Sequence, residues 1–155
     1  MEKIRIAGIE EESIVDGPGI RFVIFTQGCN HQCIGCHNPE THSFDGGELV
    51  DIDSIVNMIK ENPLLDGITI SGGEPFEQSL ECSILAKKVK VLGLSVVTYT
   101  GYTFEEILRN KKFRDLLLQT DLLIDGKFDI SEKSMMLQFR GSTNQRIIDV
   151  KKYLG

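Results

Sequence analysis

The sequence is short of cysteine and has no long apolar run. Four of its 155 residues are cysteines, and residues 1–12 are charged and lack the apolar core of a signal peptide. A disulfide framework belongs in a secreted chain, so it is not expected here. The longest apolar run is the size of a strand, far below the ~20 residues of a membrane-spanning helix. We therefore expect a cytoplasmic protein without a membrane segment.

Basic residues are not in excess either. The chain carries 17 Lys and Arg against 23 Asp and Glu, which gives a net charge of −6. Proteins that bind nucleic acid neutralise phosphates with Lys and Arg, so this charge argues against a nucleic-acid partner. With 41% hydrophobic residues, the chain is long enough to bury a core. We expect a single domain over residues 1–155.

The sequence does contain a compact cysteine array. Cys29, Cys33 and Cys36 form a C-x3-C-x2-C pattern directly after the strand-like residues 21–26, whereas Cys82 lies far away in a predicted helix. A cation that binds one thiolate of the array can bind all three, and binding deprotonates them. The array therefore predicts a metal site, and Cys82 is expected to be a packing residue.

The array by itself leaves two metals open. Structural zinc takes four ligands, and His31, His37 or His42 could supply a fourth to three cysteines. A [4Fe-4S] cluster normally takes four thiolates. Three thiolates would leave one iron with an open position, as a catalytic metal needs.

A second motif bears on this choice. The sequence S-G-G-E-P at residues 71–75 follows the strand-like residues 68–70. Together with the cysteine array, it resembles the signature of radical S-adenosylmethionine (SAM) enzymes. The resemblance implies that Cys29, Cys33 and Cys36 hold a [4Fe-4S] cluster whose fourth iron chelates SAM. The chain departs from many members in one position, because it has a glycine instead of an aromatic residue before the third cysteine.

The resemblance also implies a set of cofactor-binding residues. Glu74 is the expected acceptor of the SAM ammonium group, and the glycines before it let backbone approach the methionine moiety. Tyr99, Thr100 and Asp125 are candidates for the ribose or substrate side. For Tyr99 and Asp125 the alternative is that they are ordinary strand-end residues. The complete set is Gly35, Cys36, His37, Gly72, Gly73, Glu74, Tyr99 and Asp125.

The segment D-G-P-G-x-R at residues 16–21 resembles the segment before the first strand in glycyl-radical-enzyme activases, with a plain turn as the alternative. Two further segments resemble a subgroup of this family, the proteins that activate anaerobic ribonucleotide reductase. They are C-x-H-x-C-x-G-C-H-N at residues 29–38 and R-G-S-T-N-Q-R at residues 140–146. The resemblance implies an oxidoreductase that cleaves SAM reductively. The resulting 5′-deoxyadenosyl radical would take a hydrogen atom from a glycine of the large reductase subunit. It also implies an electron donor such as reduced flavodoxin.

Other functions stay open at this point. An activase of pyruvate formate-lyase or another glycyl-radical enzyme is the nearest alternative. Such chains are usually longer, and the R-G-S-T-N-Q-R motif at residues 140–146 argues against this alternative. A small radical SAM enzyme acting on a pterin-like metabolite is a second. A zinc-stabilised binding module without catalysis is the alternative from a different class. The pattern assigns no chemical role to Arg140 or Arg146.

Hydrophobic periodicity predicts the fold class. Helices are predicted at residues 52–59, 76–92 and 111–119, and a further short helix is predicted to begin at residue 103. Strands are predicted at residues 4–9, 21–26, 67–71, 94–98, 122–126, 137–139 and 147–150, and the strand at residues 122–126 ends in a turn. This alternation predicts an α/β fold with a mostly parallel sheet. The family resemblance adds an open partial (β/α) barrel.

The same patterns make several local predictions. Glu10, Glu11 and Glu12 are expected in a solvated turn. The inward face of the helix at residues 76–92 is expected to carry Leu80, Ile84, Leu85, Val89 and Leu92. Residues 103–106 resemble a capping box. Functional groups in parallel sheets gather where the strands end. The residues of the cysteine array, the S-G-G-E-P motif, Tyr99 and Asp125 all follow strands, so we expect them at one edge of the sheet.

Overall fold

The computed structural model describes residues 2–28, 47–126 and 145–154. The strands are β1 (Lys3–Ser13), β2 (Arg21–Thr26), β3 (Glu48–Asp51), β4 (Gly67–Gly72), β5 (Ser95–Tyr99), β6 (Leu122–Asp125) and β7 (Arg146–Asp149). The helices are α1 (Ile52–Lys60), α2 (Ser79–Val91), α3 (Phe104–Arg109), α4 (Arg114–Gln119) and α5 (Val150–Leu154), with 3-10 turns at Pro75–Gln78 and Lys111–Phe113.

Some predictions fall outside the described residues. These are the ligand role of Cys29, Cys33 and Cys36, the cofactor contacts of Gly35 and His37, the position of Arg140 and the strand at residues 137–139.

The described strands form one sheet in the order β3-β1-β2-β4-β5-β6-β7. The four central strands, β2, β4, β5 and β6, run parallel to one another. Strands β1, β3 and β7 pair antiparallel at the two sides. Because β3 and β7 lie at separate edges, the sheet is open. The predicted α/β fold with a mostly parallel, open sheet is confirmed.

The central strands are apolar because both of their faces are covered. Parallel strands with helices packed against them read as near-continuous hydrophobic runs. On the helix-covered face, Ile24, Ile70 and Val96 pack into the core with Ile55 of α1 and Leu85 of α2. Each fully buried aliphatic side chain of this kind stabilises the fold by ~1.5–3 kcal/mol.

The opposite face of the sheet carries its own rows of side chains. Strand register aligns Val23 with Thr69 and Thr69 with Val97, and all three are buried. Side chains alternate between the two faces of a strand, so this row lies on the face away from the helical core. The Asp16 carbonyl accepts a hydrogen bond from Thr69 Oγ1 at 2.7 Å, which places the D-G-P-G segment against this face.

Strand β1 is longer than the sequence indicated. The prediction of a turn at Glu10, Glu11 and Glu12 is wrong, because these residues continue β1 to Ser13. Glu10 pairs with Val23 of β2 and Ser13 pairs with Arg21, and the register shifts between them. The three glutamate side chains are exposed. The three consecutive glutamates therefore belong to a strand whose side chains face solvent at this point. Strand β3 was also missed, because its four residues are exposed or only half-buried and form no apolar run.

The inward face of α2 agrees with the prediction at Ile84, Leu85 and Val89 and differs from it at the two ends of the segment. Leu80 is 59% exposed and Leu92 39% exposed, so neither faces the core as expected. The segment starts as a 3-10 turn and becomes α-helical at Ser79, which sets which side chains point inward. The inward positions of α2 are taken by Cys82, Leu85, Ala86 and Val89. Cys82 is completely buried in the core, as predicted.

Shorter elements follow the predicted signals. Thr103 and Glu106 form the predicted capping box at the start of α3. The predicted helix over residues 111–119 is present as a 3-10 turn followed by α4. Within the described ranges, the structure contains no helix that has both the length and the hydropathy of a membrane span.

Candidate functional site

The G-G-E-P loop is hydrogen-bonded to residues 26–28, the stem that leads from β2 into the cysteine array. The Gly73 N–H donates to the Thr26 carbonyl at 2.8 Å, and the Glu74 N–H donates to the Gly28 carbonyl at 2.7 Å. Gly28 immediately precedes Cys29 in the sequence. The end of β4 therefore fixes the backbone from which the array begins, and the two predicted cofactor motifs meet at one place.

Gly72 is required at this junction by its backbone and its surroundings. Its φ of +94° is a conformation that residues with a Cβ rarely adopt. A Cβ here would lie 2.5 Å from the Thr26 nitrogen, so the neighbour that demands a glycine is the backbone of β2. The sequence argument expected a ligand in that role.

Glu74 is a buried carboxylate with several protein donors. The residue has no exposed surface. Its oxygens accept hydrogen bonds from the Gly101 N–H at 2.8 Å and from the Phe76 N–H at 3.1 Å. The Thr100 hydroxyl lies 2.9 Å from one oxygen and 2.8 Å from the other. Glu74 thus connects the loop after β4 with the loop after β5. Its contact with the SAM ammonium group stays a prediction.

A second polar side chain braces the same stem. The Gln78 amide accepts from the Arg5 N–H at 2.9 Å and donates to the Arg5 carbonyl at 2.8 Å. It also donates to the Gln27 carbonyl at 3.2 Å. Sequence reasoning missed Gln78, because no local pattern links it to a strand 73 residues earlier in the chain. It holds β1 and the residues before the array in register.

Tyr99 lies at the end of β5 beside the D-G-P-G segment. Burial raises the pKa of its hydroxyl, and the negative charge of Asp16 acts in the same direction. The phenol therefore stays protonated at neutral pH. This is compatible with the predicted contact to a ribose or to substrate, which stays a prediction.

Asp125 is held by protein groups on several sides. It is 1% exposed and accepts from the Phe104 N–H at 2.7 Å, from the Arg146 N–H at 3.3 Å and from Arg146 Nε at 3.0 Å. A second guanidinium nitrogen of Arg146 also forms an ion pair with it. In this structure Asp125 anchors β7 and the start of α3. Its predicted role as a cofactor ligand stays a prediction.

Arg146 thereby gains a role that the sequence did not assign. Besides Asp125, it bonds the Glu105 carboxylate of α3 at 2.8 and 3.3 Å. The two carboxylates raise the pKa of the guanidinium further above its usual value. Arg146 joins β6, β7 and α3 into one ionic cluster.

A cleft of about 410 Å³ opens beside this cluster. It is lined by Gly101, Thr103, Glu105, Glu106, Asp125, Gly126 and Arg146. The cleft lies where β5 and β6 end, next to the loop that holds Glu74. Small-molecule sites typically measure ~300–1,000 Å³, so the cleft can accommodate part of a ligand.

The structure brings the described candidates to one edge of the sheet, as predicted. Gly72, Gly73 and Glu74 follow β4, while Tyr99 ends β5 and Asp125 ends β6. The edge fits a cluster-bound cofactor, because a glycine loop approaches the stem of a three-thiolate array at hydrogen-bonding distance. The ligand role of the cysteines stays a prediction that rests on their spacing.

Comparison with known proteins gives the class of the chain. A sequence model of the family described as "4Fe-4S single cluster domain" matches residues 15–148. That span contains the cysteine array, the G-G-E-P loop and every strand from β2 to β6. The chain is thus a 4Fe-4S single cluster domain, the class to which the fold and the strand-end site point.

Individual relatives narrow this class. An anaerobic ribonucleoside-triphosphate reductase-activating protein of Haemophilus influenzae is 34% identical over 86% of this chain and 90% of its own length. The protein of the same name from Enterobacteria phage T4 is 34% identical over 86% of both chains. The chain belongs to the family of anaerobic ribonucleoside-triphosphate reductase-activating proteins. This confirms the predicted family, its enzyme class and its cofactors, a [4Fe-4S] cluster and SAM.

Two other comparisons extend beyond this family. A pyruvate formate-lyase-activating enzyme of Staphylococcus epidermidis is 33% identical over 93% of this chain, which spans 61% of that enzyme. The crystal structure of QueE from Escherichia coli matches with a TM-score of 0.50 at 17% identity, over 65% of this chain and 54% of that one. At this identity the structural match supports the fold alone.

Proposed function

We propose that this chain activates an anaerobic ribonucleoside-triphosphate reductase by forming a glycyl radical on its large subunit. The observation that carries the proposal is the meeting of the G-G-E-P loop with the stem of the cysteine array, in a chain whose relatives bear this activity in their names. The R-G-S-T-N-Q-R motif at residues 140–146 supports the same substrate.

The chemistry of the proposed reaction belongs to its cofactors. Held by Cys29, Cys33 and Cys36, a [4Fe-4S] cluster would supply the electron for reductive cleavage of SAM to methionine and a 5′-deoxyadenosyl radical, which would take a hydrogen atom from the glycine Cα. The products are 5′-deoxyadenosine and a glycyl radical delocalised over the adjacent peptide groups. The electron comes from an external donor, for which we propose a reduced flavodoxin.

The chain itself holds and orients these groups. Cys29, Cys33 and Cys36 would bind three irons of the cluster and leave the fourth to SAM. Gly73 and Glu74 fix the stem of the array through backbone hydrogen bonds, so the cluster and the SAM-binding loop would keep a constant separation. Constant orientation of reacting groups is a large part of enzymatic rate enhancement.

The open sheet supports a protein substrate. Among the strands that the structure describes, β3 and β7 are the two edges, so these strands do not close around a small molecule. A peptide loop of a partner could reach the strand ends from the open side. We propose that residues 1–155 act as one cytoplasmic domain and that the partner completes the enclosure of the site.

Metal content tests the cofactor part of the proposal. Protein reconstituted without oxygen should be brown and contain about four irons per chain. Cys29→Ala, Cys33→Ala and Cys36→Ala should lose SAM cleavage, whereas Cys82→Ala, the matched control outside the array, should retain it. A colourless protein with one zinc per chain would instead support the non-catalytic binding module. Loss of the cluster in Cys82→Ala would refute the ligand assignment.

Electron paramagnetic resonance tests the substrate. The reduced protein, SAM and the anaerobic reductase should together give a glycyl doublet that is absent when SAM is omitted. Pyruvate formate-lyase serves as the competing substrate, because an activating enzyme of that name is almost as similar to the chain. A doublet on pyruvate formate-lyase, with none on the reductase, would overturn the proposed substrate and keep the glycyl-radical chemistry.

A further inference from the structure

We propose that Thr100 is a positioning residue for the SAM site. Its hydroxyl, together with the Gly101 N–H, holds the buried Glu74 carboxylate and so fixes the G-G-E-P loop against the stem of the cysteine array. The inference rests on the proposed function in one respect, namely that this loop binds SAM. In this proposal Glu74 also connects the loop after β5 with the stem of the cysteine array, a role that the G-G-E-P motif alone does not reveal.

The contacts around Glu74 show why a hydroxyl is needed. Thr100 Oγ1 lies 2.8 and 2.9 Å from the two carboxylate oxygens, and Thr100 is 5% exposed. The same oxygen accepts from the Tyr102 N–H at 3.1 Å, which orients its hydrogen towards Glu74. A buried carboxylate is costly unless its oxygens receive hydrogen bonds. Thr100 therefore supplies a charge-assisted hydrogen bond in a place that water does not reach.

The position of Glu74 is passed on to the array through its own backbone. The Glu74 N–H donates to the Gly28 carbonyl at 2.7 Å, one residue before Cys29. On the other side, the Thr100 N–H donates to the Ile124 carbonyl of β6 at 3.0 Å. Thr100 and Glu74 thus link the ends of β2, β4, β5 and β6. A shift of the carboxylate would move the loop relative to the array.

The chain offers a matched control on the same strand. Thr98 is completely buried, and its hydroxyl lies 2.9 Å from the hydroxyl of Thr120. Thr120 in turn donates to the Leu116 carbonyl at 2.9 Å, so Thr98 is the donor of the pair. Thr98→Val removes a buried threonine hydrogen bond on the helix-covered face, two residues from Thr100. This variant measures how much stability is lost when a buried threonine hydrogen bond is removed at a position that does not contact Glu74.

The experiment compares Thr100→Val, Thr100→Ser and Thr98→Val with the reconstituted wild-type protein. SAM affinity is measured by anaerobic equilibrium dialysis at equal iron content, and amide hydrogen exchange of Gly101 by mass spectrometry. Thr100→Val should weaken SAM binding about tenfold or more, the effect of losing a hydrogen bond to a charged group. It should also speed exchange of the Gly101 amide. Thr100→Ser keeps the hydroxyl and should stay close to wild type in both measurements.

The outcomes separate positioning from a general loss of stability. Thr98→Val should lower the urea midpoint while leaving SAM affinity unchanged. The proposal is overturned if Thr100→Val binds SAM as wild type does, or if Thr98→Val weakens binding equally. If wild-type protein binds no SAM, the proposed function fails, and exchange of the Gly101 amide then decides whether Thr100 positions Glu74. Faster exchange in Thr100→Val than in Thr100→Ser supports that positioning role, and equal exchange refutes it.

Discussion

At the scale of single residues, Arg21 is a buried charge that neutral groups satisfy. It is 1% exposed, and its guanidinium donates to the carbonyls of Ile68 at 2.7 Å, Ser95 at 2.9 Å and Pro18 at 2.9 Å. It also donates to Thr69 Oγ1 at 3.0 Å. Burial lowers the pKa of Arg21 to about 10, which leaves it charged at neutral pH. Arg21 therefore ties the D-G-P-G segment to three parallel strands.

Glycine makes room for this guanidinium. A Cβ on Gly67 would lie 2.4 Å from a terminal nitrogen of Arg21 and 2.3 Å from the Ser95 carbonyl. A Cβ on Gly17 would lie 2.7 Å from Arg21 Cδ. The D-G-P-G-x-R motif thus has a structural explanation in this chain. Its arginine connects neighbouring strands, and Gly17, the first glycine of the motif, leaves space for the arginine side chain.

Arg21→Lys should destabilise the protein strongly. A lysine ammonium cannot reproduce the planar fork that bonds several acceptors at once. We expect a loss of about 2–4 kcal/mol in the free energy of unfolding, since buried carbonyls lose their donors. Urea denaturation of Arg21→Lys and of the exposed control Arg109→Lys measures the difference. Equal midpoints for the two variants would contradict the connector role.

Cys82 should be chemically inert in the folded protein. Burial raises the pKa of its thiol, and the reactive form of cysteine is the thiolate. Under native, oxygen-free conditions, iodoacetamide should label the same number of thiols in wild type and in Cys82→Ala. In denaturing urea, wild type should gain one label over the variant. Native labelling of Cys82, located by mass spectrometry, would show that the helical core opens there.

At the scale of elements, β7 is joined to the sheet by both backbone and charge. It pairs antiparallel with β6, and Arg146 at its start contacts Asp125 of β6 and Glu105 of α3. The Gly126 N–H donates to the Tyr102 carbonyl at 2.8 Å, which adds a further link between the loops. A short edge strand is thereby held by its first residue.

Glu105 makes this connection dependent on pH. The Arg146 hydrogen bond lowers the pKa of the Glu105 carboxyl from its ordinary value of 4.5. A carboxyl with a lowered pKa contributes stability that is fully present above its ordinary pKa. That contribution is lost as the pH falls through the lowered value.

Glu105→Gln tests that dependence. The variant should lose less stability than wild type between pH 7 and about pH 3, measured by urea denaturation at each pH. Its difference from wild type should be largest at pH 7 and should vanish in acid. Glu106→Gln is unsuitable as a control because Glu106 belongs to the capping box. Glu81→Gln on α2 serves instead, and an identical pH profile for both variants would contradict the assignment.

At the scale of the whole molecule, the fold and the cofactor site draw on different parts of the chain. The hydrophobic core is formed by the strands of the sheet together with α1, α2, α3 and α4. The candidate site lies at the carboxyl ends of the central strands, where loops meet. Burial of apolar area drives folding, so the described core supplies its own stabilisation.

Replacing all three array cysteines should therefore leave the fold intact. Cys29→Ser, Cys33→Ser and Cys36→Ser combined should lose iron and visible absorbance. The far-ultraviolet circular dichroism spectrum should stay at wild-type intensity, and unfolding should stay cooperative. Wild-type protein treated with a chelator serves as the matched control. Loss of secondary structure in both samples would show that the metal is needed for folding.

The sequence predicted the class of fold well because periodicity is a local property. Alternating apolar segments indicated the parallel core strands, and cap signals indicated the start of α3. The glutamates of β1 were misassigned, because consecutive charged residues with exposed side chains give the same sequence pattern in a strand as in a turn. Strand β3 was missed because its residues form no apolar run, and its antiparallel pairing with β1 appears only in the tertiary structure.

The cysteine array looked from the sequence like a metal site that lacks one ligand, and its spacing together with the G-G-E-P motif determined the family. Tertiary structure alone decided how these motifs are held together. Thr100, Gln78 and Arg21 contact their partners across 26, 73 and 74 residues of sequence. Such hydrogen bonds depend on which strands become neighbours, and a single sequence carries no local signal for them. The chemistry could thus be predicted from residue types, while its positioning required the sheet.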